Sequence, residues 1–289
     1  MIDQPEEITI QTPTLRLAAR AWGPADGVPV LALHGWLDSA ASFDRVAPRL
    51  PGLRLVCLDM PGHGESEHLP PGQGYAFVDT VAHVHAATVA LGWERFCLLG
   101  HSLGAAVSAV LAGTFPARVR RLALVEGLGP VTEEPKHAAE RLARSIEEEE
   151  RKRGRTPPVY PSEDEAVRRL EASMSRLSHE AARTLCRRGL RPVEGGVTWR
   201  SDPRLRLPSR LRLTEEQVLV FLGAIECPTL LVRGSEGFPF APRPMSARVA
   251  ALRDAEMVEL PGGHHLHLDT PDAVAEVLRE FFAPLVHAC

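Results

Sequence analysis

Residues 98–106, LLGHSLGAA, pass directly from strand-forming residues to small helix-forming residues. Ser102 lies at this junction, and a glycine stands two positions away on each side, at Gly100 and Gly104. A tight strand-to-helix bend favours this spacing because a side chain at either glycine would collide with the neighbouring backbone. The pattern therefore predicts a nucleophile elbow, with Ser102 at the turn between a strand and a helix.

Short apolar runs alternate with amphipathic segments along the chain, which predicts an α/β fold with a mainly parallel sheet. The runs are nearly continuous in apolar residues, as expected of parallel strands that are covered on both faces. The predicted strands are residues 28–35, 53–60, 95–102, 119–127, 227–234 and 255–263. The predicted helices between them are residues 42–50, 76–91, 103–115, 243–252 and 271–286.

One long segment interrupts this alternation. Between Gly127 and Thr229 we find no convincing strand, and a loop of about a hundred residues is implausible inside a compact domain. Helical stretches are predicted here at residues 136–152, 163–187 and 214–224. We therefore expect an inserted helical subdomain at residues 130–224, and a core formed by residues 1–129 and 225–289.

The composition limits the classes of function. The chain has 289 residues, enough to bury the core of a large domain, and its formal net charge of −4 gives no reason to expect nucleic-acid binding. The N-terminus is acidic, unlike a signal peptide, and no apolar run approaches the ~18 residues that span a bilayer. Widely scattered cysteines without metal-type spacing predict free thiols in a reducing compartment. They are Cys57, Cys97, Cys186, Cys227 and Cys289. We expect a soluble cytoplasmic protein that does not bind membranes.

A nucleophilic serine needs a base, and residues 261–271, PGGHHLHLDTP, supply the candidate. His264 directly follows two glycines at the end of the last predicted strand, at the sheet edge where Ser102 is expected. His265 and His267 are nearby rivals. The three histidines also admit a metal site or a plain polar loop, but their position after the elbow favours His264 as general base with no metal.

Two backbone N–H groups are candidates for binding an oxyanion. Leu103 follows the serine at the start of a predicted helix, where N–H groups favour an anion. Trp36 follows His34-Gly35 at the end of the strand at residues 28–35, and Gly35 permits the sharp turn that would point the N–H of Trp36 at the site. A plain strand-to-helix turn could also contain His34-Gly35.

Four motifs occur in a fixed order: HGW at 34–36, DMPGHGES at 59–66, GHSLG at 100–104 and GGHHLHLD at 262–269. In this order and at these intervals the chain resembles the α/β-hydrolase superfamily over nearly its whole length. The inserted segment resembles the helical cap of that superfamily. VEGLGP at 125–130 and TWRSDPRLR at 198–206 are similar to the serine hydrolase-like branch.

The acid of a catalytic triad departs from the usual pattern of that superfamily, in which an Asp lies three residues beyond a Gly after the seventh strand. Here that turn is Gly234-Ser235-Glu236-Gly237, with glycine in the place of the acid. Glu236 is adjacent and is one alternative. Glu126, which closes an apolar strand, is the favoured acid, because a carboxylate at that edge needs a partner such as an imidazole N–H. Glu126 could also only cap the first helix of the insertion.

The resemblance implies a serine hydrolase without a cofactor that cleaves a carboxylic ester or a related small acyl compound. Thioesterase, lactonase and carbon–carbon-bond hydrolase chemistry use the same residues, and a non-catalytic ligand-binding module on the same fold is the alternative of another class. Residues 136–213 contain 19 Lys and Arg against 12 Asp and Glu. This excess suggests that Arg200 or Arg204 faces the pocket and favours anionic substrates.

Overall fold

In a computed structural model of the chain, the described residues are 4–174, 176–239 and 241–286. Cys289 lies outside them. Within these residues, ten strands form one sheet of eight strands and one of two strands. The strands are β1 (Glu6–Gln11), β2 (Arg16–Trp22), β3 (Val28–Leu33), β4 (Leu53–Leu58), β5 (Phe96–His101), β6 (Val119–Val125), β7 (Leu190–Val193), β8 (Gly196–Trp199), β9 (Thr229–Gly234) and β10 (Ala255–Leu260).

The central sheet has the order β1-β2-β4-β3-β5-β6-β9-β10. The six strands from β4 to β10 in this order are parallel, whereas β1 and β2 add an antiparallel edge. The predicted fold class and all six predicted strands are confirmed. Strands β1 and β2 were not predicted from the sequence, because β1 alternates polar with apolar residues and β2 contains Arg16 and Arg20.

Helices connect the strands. The α-helices are α1 (Phe77–Ala90), α2 (Leu103–Thr114), α3 (Ala138–Lys152), α4 (Glu163–Ser173), α5 (His179–Gly189), α6 (Glu215–Gly223), α7 (Pro242–Ala251), α8 (Leu266–Asp269) and α9 (Pro271–Val286). The helix predicted at 42–50 is wrong: two short 3₁₀ helices, Ala40–Phe43 and Ala47–Arg49, occupy that segment. None of the helices in the described part of the chain has the length and apolar character needed to cross a bilayer.

The sheet is buried on both faces, which explains its continuous apolar strands. Along β3, Leu31 and Leu33 belong to one apolar cluster, and Val30 and Ala32 belong to the cluster on the opposite face. Cys57 and Cys97 are buried free thiols in the second cluster, as expected, and Cys186 and Cys227 are also free and buried.

The chain between β6 and β9 contributes no strand to the central sheet within its described residues. It contains α3 to α6, and the helix predicted at 163–187 is divided into α4 and α5. The prediction that it contains no strand is wrong, because β7 and β8 pair as a small antiparallel hairpin. Glu194 and Gly195 make its two-residue turn, and Gly195 and the first residue of β8, Gly196, have φ of 85° and 143°, a region that favours glycine. A separate apolar cluster joins α4, α5 and β7 to Leu268.

Candidate active site

Ser102 occupies a strained turn between β5 and α2. Its φ of 52° and ψ of −112° are unusual for a residue with a side chain. Close packing accounts for the flanking glycines: a Cβ on Gly104 would lie 1.9 Å from the carbonyl oxygen of Leu33, and one on Gly100 would lie 2.5 Å from the carbonyl oxygen of Gly104. The tight turn that the sequence predicted is therefore present.

His264 lies between Ser102 and Glu126. Its Nε2 is 2.9 Å from Ser102 Oγ, and its Nδ1 is 3.1 Å from Glu126 Oε2. These three residues come from the ends of β5 and β6 and from the loop after β10. The structure thus brings together the predicted nucleophile, the predicted base and the favoured candidate acid in one hydrogen-bonded chain.

Glu126 follows β6 with a φ of 55°, and its side chain is fully buried. Its carboxylate accepts backbone N–H groups from Gly234 at 2.7 Å and from Phe238 at 2.6 Å. Burial alone would raise the pKa of Glu126, but the hydrogen bonds from His264 and from these two N–H groups outweigh it and lower that pKa. The carboxylate is therefore ionised, and its N–H partners lie at β9 and the turn after it instead of at a helix of the insertion.

Gly237 explains how the acid fits at this place. A Cβ on Gly237 would lie 2.2 Å from Glu126 Oε2, so the Glu126 carboxylate fills the space where a side chain of residue 237 would begin. Glu236, the alternative acid, is partly exposed, and its carboxylate forms an ion pair with Arg176 of the insertion. The carboxylate of Glu236 thus contacts Arg176, whereas that of Glu126 contacts His264.

The two candidates for the oxyanion site flank the elbow. Leu103 is the first residue of α2, and Trp36 follows Gly35 after β3, the neighbour of β5 in the sheet. The N–H of Gly104 donates to the carbonyl oxygen of His34 at 3.0 Å, which ties the two segments together. The indole Nε1 of Trp36 donates to the carbonyl oxygen of Leu205 in the insertion at 3.0 Å.

The rival histidines have other partners. His265 Nε2 lies 3.4 Å from Asp38 Oδ2, and His267 Nε2 lies 2.8 Å from Ser42 Oγ. His101 joins the first pair, so that Asp38, His101 and His265 hold three potential metal-ligand atoms within 4.8 Å of one another. This buried cluster was not predicted from the sequence, because its members are far apart in the chain. The available signal was their common position at or beyond the carboxyl ends of β3, β5 and β10.

Arg200 and Arg204 of the insertion donate hydrogen bonds to backbone carbonyl oxygens. Arg204 binds Asp202 and donates to the carbonyl oxygens of Leu69, Pro70 and Gln73, in the segment after β4. Arg200 Nε donates to the carbonyl oxygen of Leu190 at 2.9 Å. These contacts argue against the expectation that the two guanidinium groups bind substrate.

A family model described as the alpha/beta hydrolase fold matches residues 28–271. The chain therefore belongs to the α/β-hydrolase family. Its resemblance to the serine hydrolase-like branch is also confirmed, since it is 32% identical to a serine hydrolase-like protein of Danio rerio over 96% of this chain and 88% of that protein.

Two solved structures show the same architecture. The hypothetical protein PA1622 of Pseudomonas aeruginosa is 47% identical, with a TM-score of 0.90, and the match covers 97% of this chain and 99% of that protein. A thioesterase domain from the curacin biosynthetic pathway is 29% identical, with a TM-score of 0.85, and covers 94% of this chain and 98% of that domain.

Proposed function

We propose that this protein hydrolyses a carboxylic ester, or a related small acyl compound, through an acyl-enzyme on Ser102. The observation that carries the proposal is the position of His264, whose two ring nitrogens contact Ser102 Oγ and the buried Glu126 carboxylate. This is the arrangement that nucleophilic acyl transfer requires, because it gives the hydroxyl a base and gives the base an orienting carboxylate.

The geometry supports a two-step reaction. Glu126 accepts the Nδ1–H of His264, so Nε2 carries the lone pair that takes the proton of Ser102 as Oγ attacks the acyl carbon. The backbone N–H groups of Trp36 and Leu103 stabilise the tetrahedral oxyanion. His264 then gives its proton to the leaving alcohol. In the second step it takes a proton from water, whose oxygen attacks the acyl carbon, and returns the proton to Ser102.

The insertion acts as a cap over this site in our proposal, with residues 130–224 as cap and residues 1–129 and 225–289 as core. Direct contacts support a cap that lies on the core: the amide N–H of Ser178 donates to Asp269 Oδ1 at 3.1 Å, and the amide N–H of Asp202 donates to the carbonyl oxygen of Gly62 at 2.8 Å. Trp36 and Arg176 add contacts beside the candidate catalytic residues. The acyl group of a small substrate would bind beneath the cap.

A thioester is the second candidate substrate. The likeness to the curacin thioesterase domain favours it, since 29% identity and a TM-score of 0.85 extend over 94% of this chain. The same serine, histidine and carboxylate would act on either substrate, and only the leaving group would differ.

The test compares p-nitrophenyl esters and acyl-coenzyme A thioesters of matched chain length. We expect a burst of p-nitrophenol from the parent protein and a loss of at least ~10³-fold in kcat for Ser102→Ala. Ser108→Ala is the matched control, since Ser108 is a buried serine of α2 with no hydrogen-bond partner for its hydroxyl among the described residues. Turnover by Ser102→Ala at the parental rate would disprove the mechanism, and parent protein without turnover of any acyl compound would favour the binding module.

A further inference from the structure

Three buried residues adjoin the candidate catalytic site. His101 is the last residue of β5, Asp38 lies in the loop after β3, and His265 directly follows His264. We call Asp38, His101 and His265 the buried network. Burying charged groups is costly unless they are paired, so their protonation states follow from their contacts.

The contacts of His101 determine where its proton lies. His101 Nε2 is 2.8 Å from the backbone carbonyl oxygen of His264. A carbonyl oxygen only accepts hydrogen bonds, so Nε2 carries a proton. Burial lowers the pKa of His101 to about 4, which leaves the ring neutral at pH 7 and gives its Nδ1 a lone pair. Among the described residues this buried Nδ1 has no hydrogen-bond partner, and it lies 3.6 Å from Asp38 Oδ2.

The positively charged partner of Asp38 is the imidazolium ring of His265, whose Nε2 lies 3.4 Å from Asp38 Oδ2. Burial alone would lower the pKa of His265, but the Asp38 carboxylate outweighs it and raises that pKa. For Asp38, burial would raise the pKa, and the charge of His265 is the main opposing effect that holds it well below the usual range. His267 packs on His101 with ring centroids 4.2 Å apart, and burial keeps it neutral by lowering its pKa. The network is therefore an ion pair beside a neutral donor.

We propose that the buried network positions His264 for catalysis: the Asp38–His265 ion pair fixes residue 265, and His101 fixes the carbonyl oxygen of residue 264. Both restraints act on the one peptide unit that joins His264 to His265. The inference rests on the proposed function, since it assigns positioning residues to the same base.

The backbone around His264 shows why such restraint is needed. The two preceding residues are glycines, and Gly262 has a φ of 145°, in a region open mainly to glycine. Glycines can aim an imidazole inwards but hold it weakly, because they leave the backbone many accessible conformations. We therefore expect restraint on the carboxyl side of His264, at the peptide unit that His101 contacts and that leads into His265. A displacement of about 1 Å at a reacting group can cost ~10²-fold in rate.

The test separates the hydrogen bond of His101 from its bulk. His101→Leu removes the donor to His264, and His101→Gln can keep an N–H donor. We expect kcat of His101→Leu to fall at least tenfold with KM within threefold of the parent value, and His101→Gln to recover most of the loss. Asp38→Asn, which keeps the size of the side chain and removes its charge, is expected to lower kcat in the same way. His63→Gln is the control, since His63 is equally buried and its Nδ1 contacts the carbonyl oxygen of Pro61.

A proton NMR measurement gives a readout that needs no substrate. The Nδ1 proton of His264, hydrogen-bonded to Glu126, is expected as a far-downfield resonance that Glu126→Gln abolishes. It should be lost in His101→Leu and Asp38→Asn and persist in His101→Gln and His63→Gln. If the Nδ1 proton resonance persists in all four variants, the positioning role is wrong. This outcome is independent of whether the protein hydrolyses esters. Stoichiometric bound zinc that Asp38→Asn removes would also overturn it, because the cluster would then be a metal site.

Discussion

Glu126 and Glu236 are the two candidates for the acid that orients His264, and substituting each one distinguishes them. We predict that Glu126→Gln lowers kcat by at least ~10²-fold, because the amide no longer fixes the His264 tautomer or stabilises its imidazolium form. Glu236→Gln should stay within about tenfold of the parent, since its carboxylate contacts Arg176. Steady-state kinetics on one chromogenic ester would decide; the opposite ranking would place the acid at Glu236.

Gly237 provides an independent test of the same carboxylate. A methyl group there would lie 2.2 Å from Glu126 Oε2, so Gly237→Ala should displace the carboxylate and lower kcat nearly as much as Glu126→Gln. Gly223→Ala is the matched control, because its new Cβ would come no closer than 3.9 Å to the nearest atom outside its own helix. Parental kcat in Gly237→Ala would show that the position of Glu126 does not limit catalysis.

The sequence was sufficient to predict that three candidate residues beyond strand ends lie together. Ser102, Glu126 and His264 follow β5, β6 and β10, and the carboxyl ends of parallel strands meet at one edge of the sheet. Asp38 follows β3 and His101 is the last residue of β5, yet their proximity to His265 was not predicted. A buried polar contact between distant segments depends on strand order and side-chain direction, which single motifs do not contain.

Helix α5 is attached to the core by a buried ion pair. Arg188 Nε lies 2.8 Å from Asp59 Oδ2, with both side chains buried, and Asp59 also accepts the backbone N–H groups of Ala40 and Glu65. The carboxylate of Asp59 thus joins α5 to two loops of the core. This agrees with an ordering role for Asp59 in the DMPGHGES turn.

We predict that Arg188→Gln lowers the free energy of unfolding by about 3 kcal/mol, because it leaves the buried Asp59 carboxylate without its cation. The neighbouring Arg187 is exposed, and Arg187→Gln should change that free energy by at most about 0.5 kcal/mol. Urea denaturation of both variants measures the difference. Equal stability of the two variants would mean that the pair contributes nothing to holding α5.

The elements that the sequence did not predict are short or polar. In β1, at an edge of the sheet, exposed polar residues alternate with the partly buried Ile8 and the buried Ile10, and this period-2 pattern differs from the continuous apolar runs of the central strands. Strands β7 and β8 have four residues each, too few for a periodic signal. Segment 42–50 has the apolar residues of a helix but contains a proline at position 48, and forms two 3₁₀ turns instead.

At the scale of the whole molecule, buried neutral histidines predict sensitivity to acid. Burial lowers the pKa of His34 to about 4, of His63 to about 3 and of His101 to about 4, and lowers that of His267 well below its usual range. In the unfolded chain each titrates near 6.5, so below that pH the unfolded state takes up protons that the folded state does not. Stability therefore falls as the pH decreases, with a slope that approaches about 1.4 kcal/mol per pH unit for each histidine.

We predict that the free energy of unfolding falls by several kcal/mol between pH 7 and pH 5, at about 2 kcal/mol for each histidine. His265 opposes this trend, because its raised pKa adds stability below 6.5 that is lost as the pH rises through its folded value. Urea midpoints at the two pH values measure the effect, and His63→Gln should reduce it. A free energy that is the same at both pH values would contradict the assignment of neutral buried histidines.

The most direct test of Ser102 as an activated nucleophile is mass spectrometry of the protein after treatment with a fluorophosphonate. If His264 and Glu126 activate Ser102, one phosphonate adds to the intact chain, and digestion places it on the peptide that contains Ser102. Ser102→Ala should take up no label, and Glu126→Gln should react at least ~10²-fold more slowly than Glu236→Gln. Label on another residue, or labelling of Ser102→Ala at the parental rate, would contradict the assignment of Ser102 as the nucleophile.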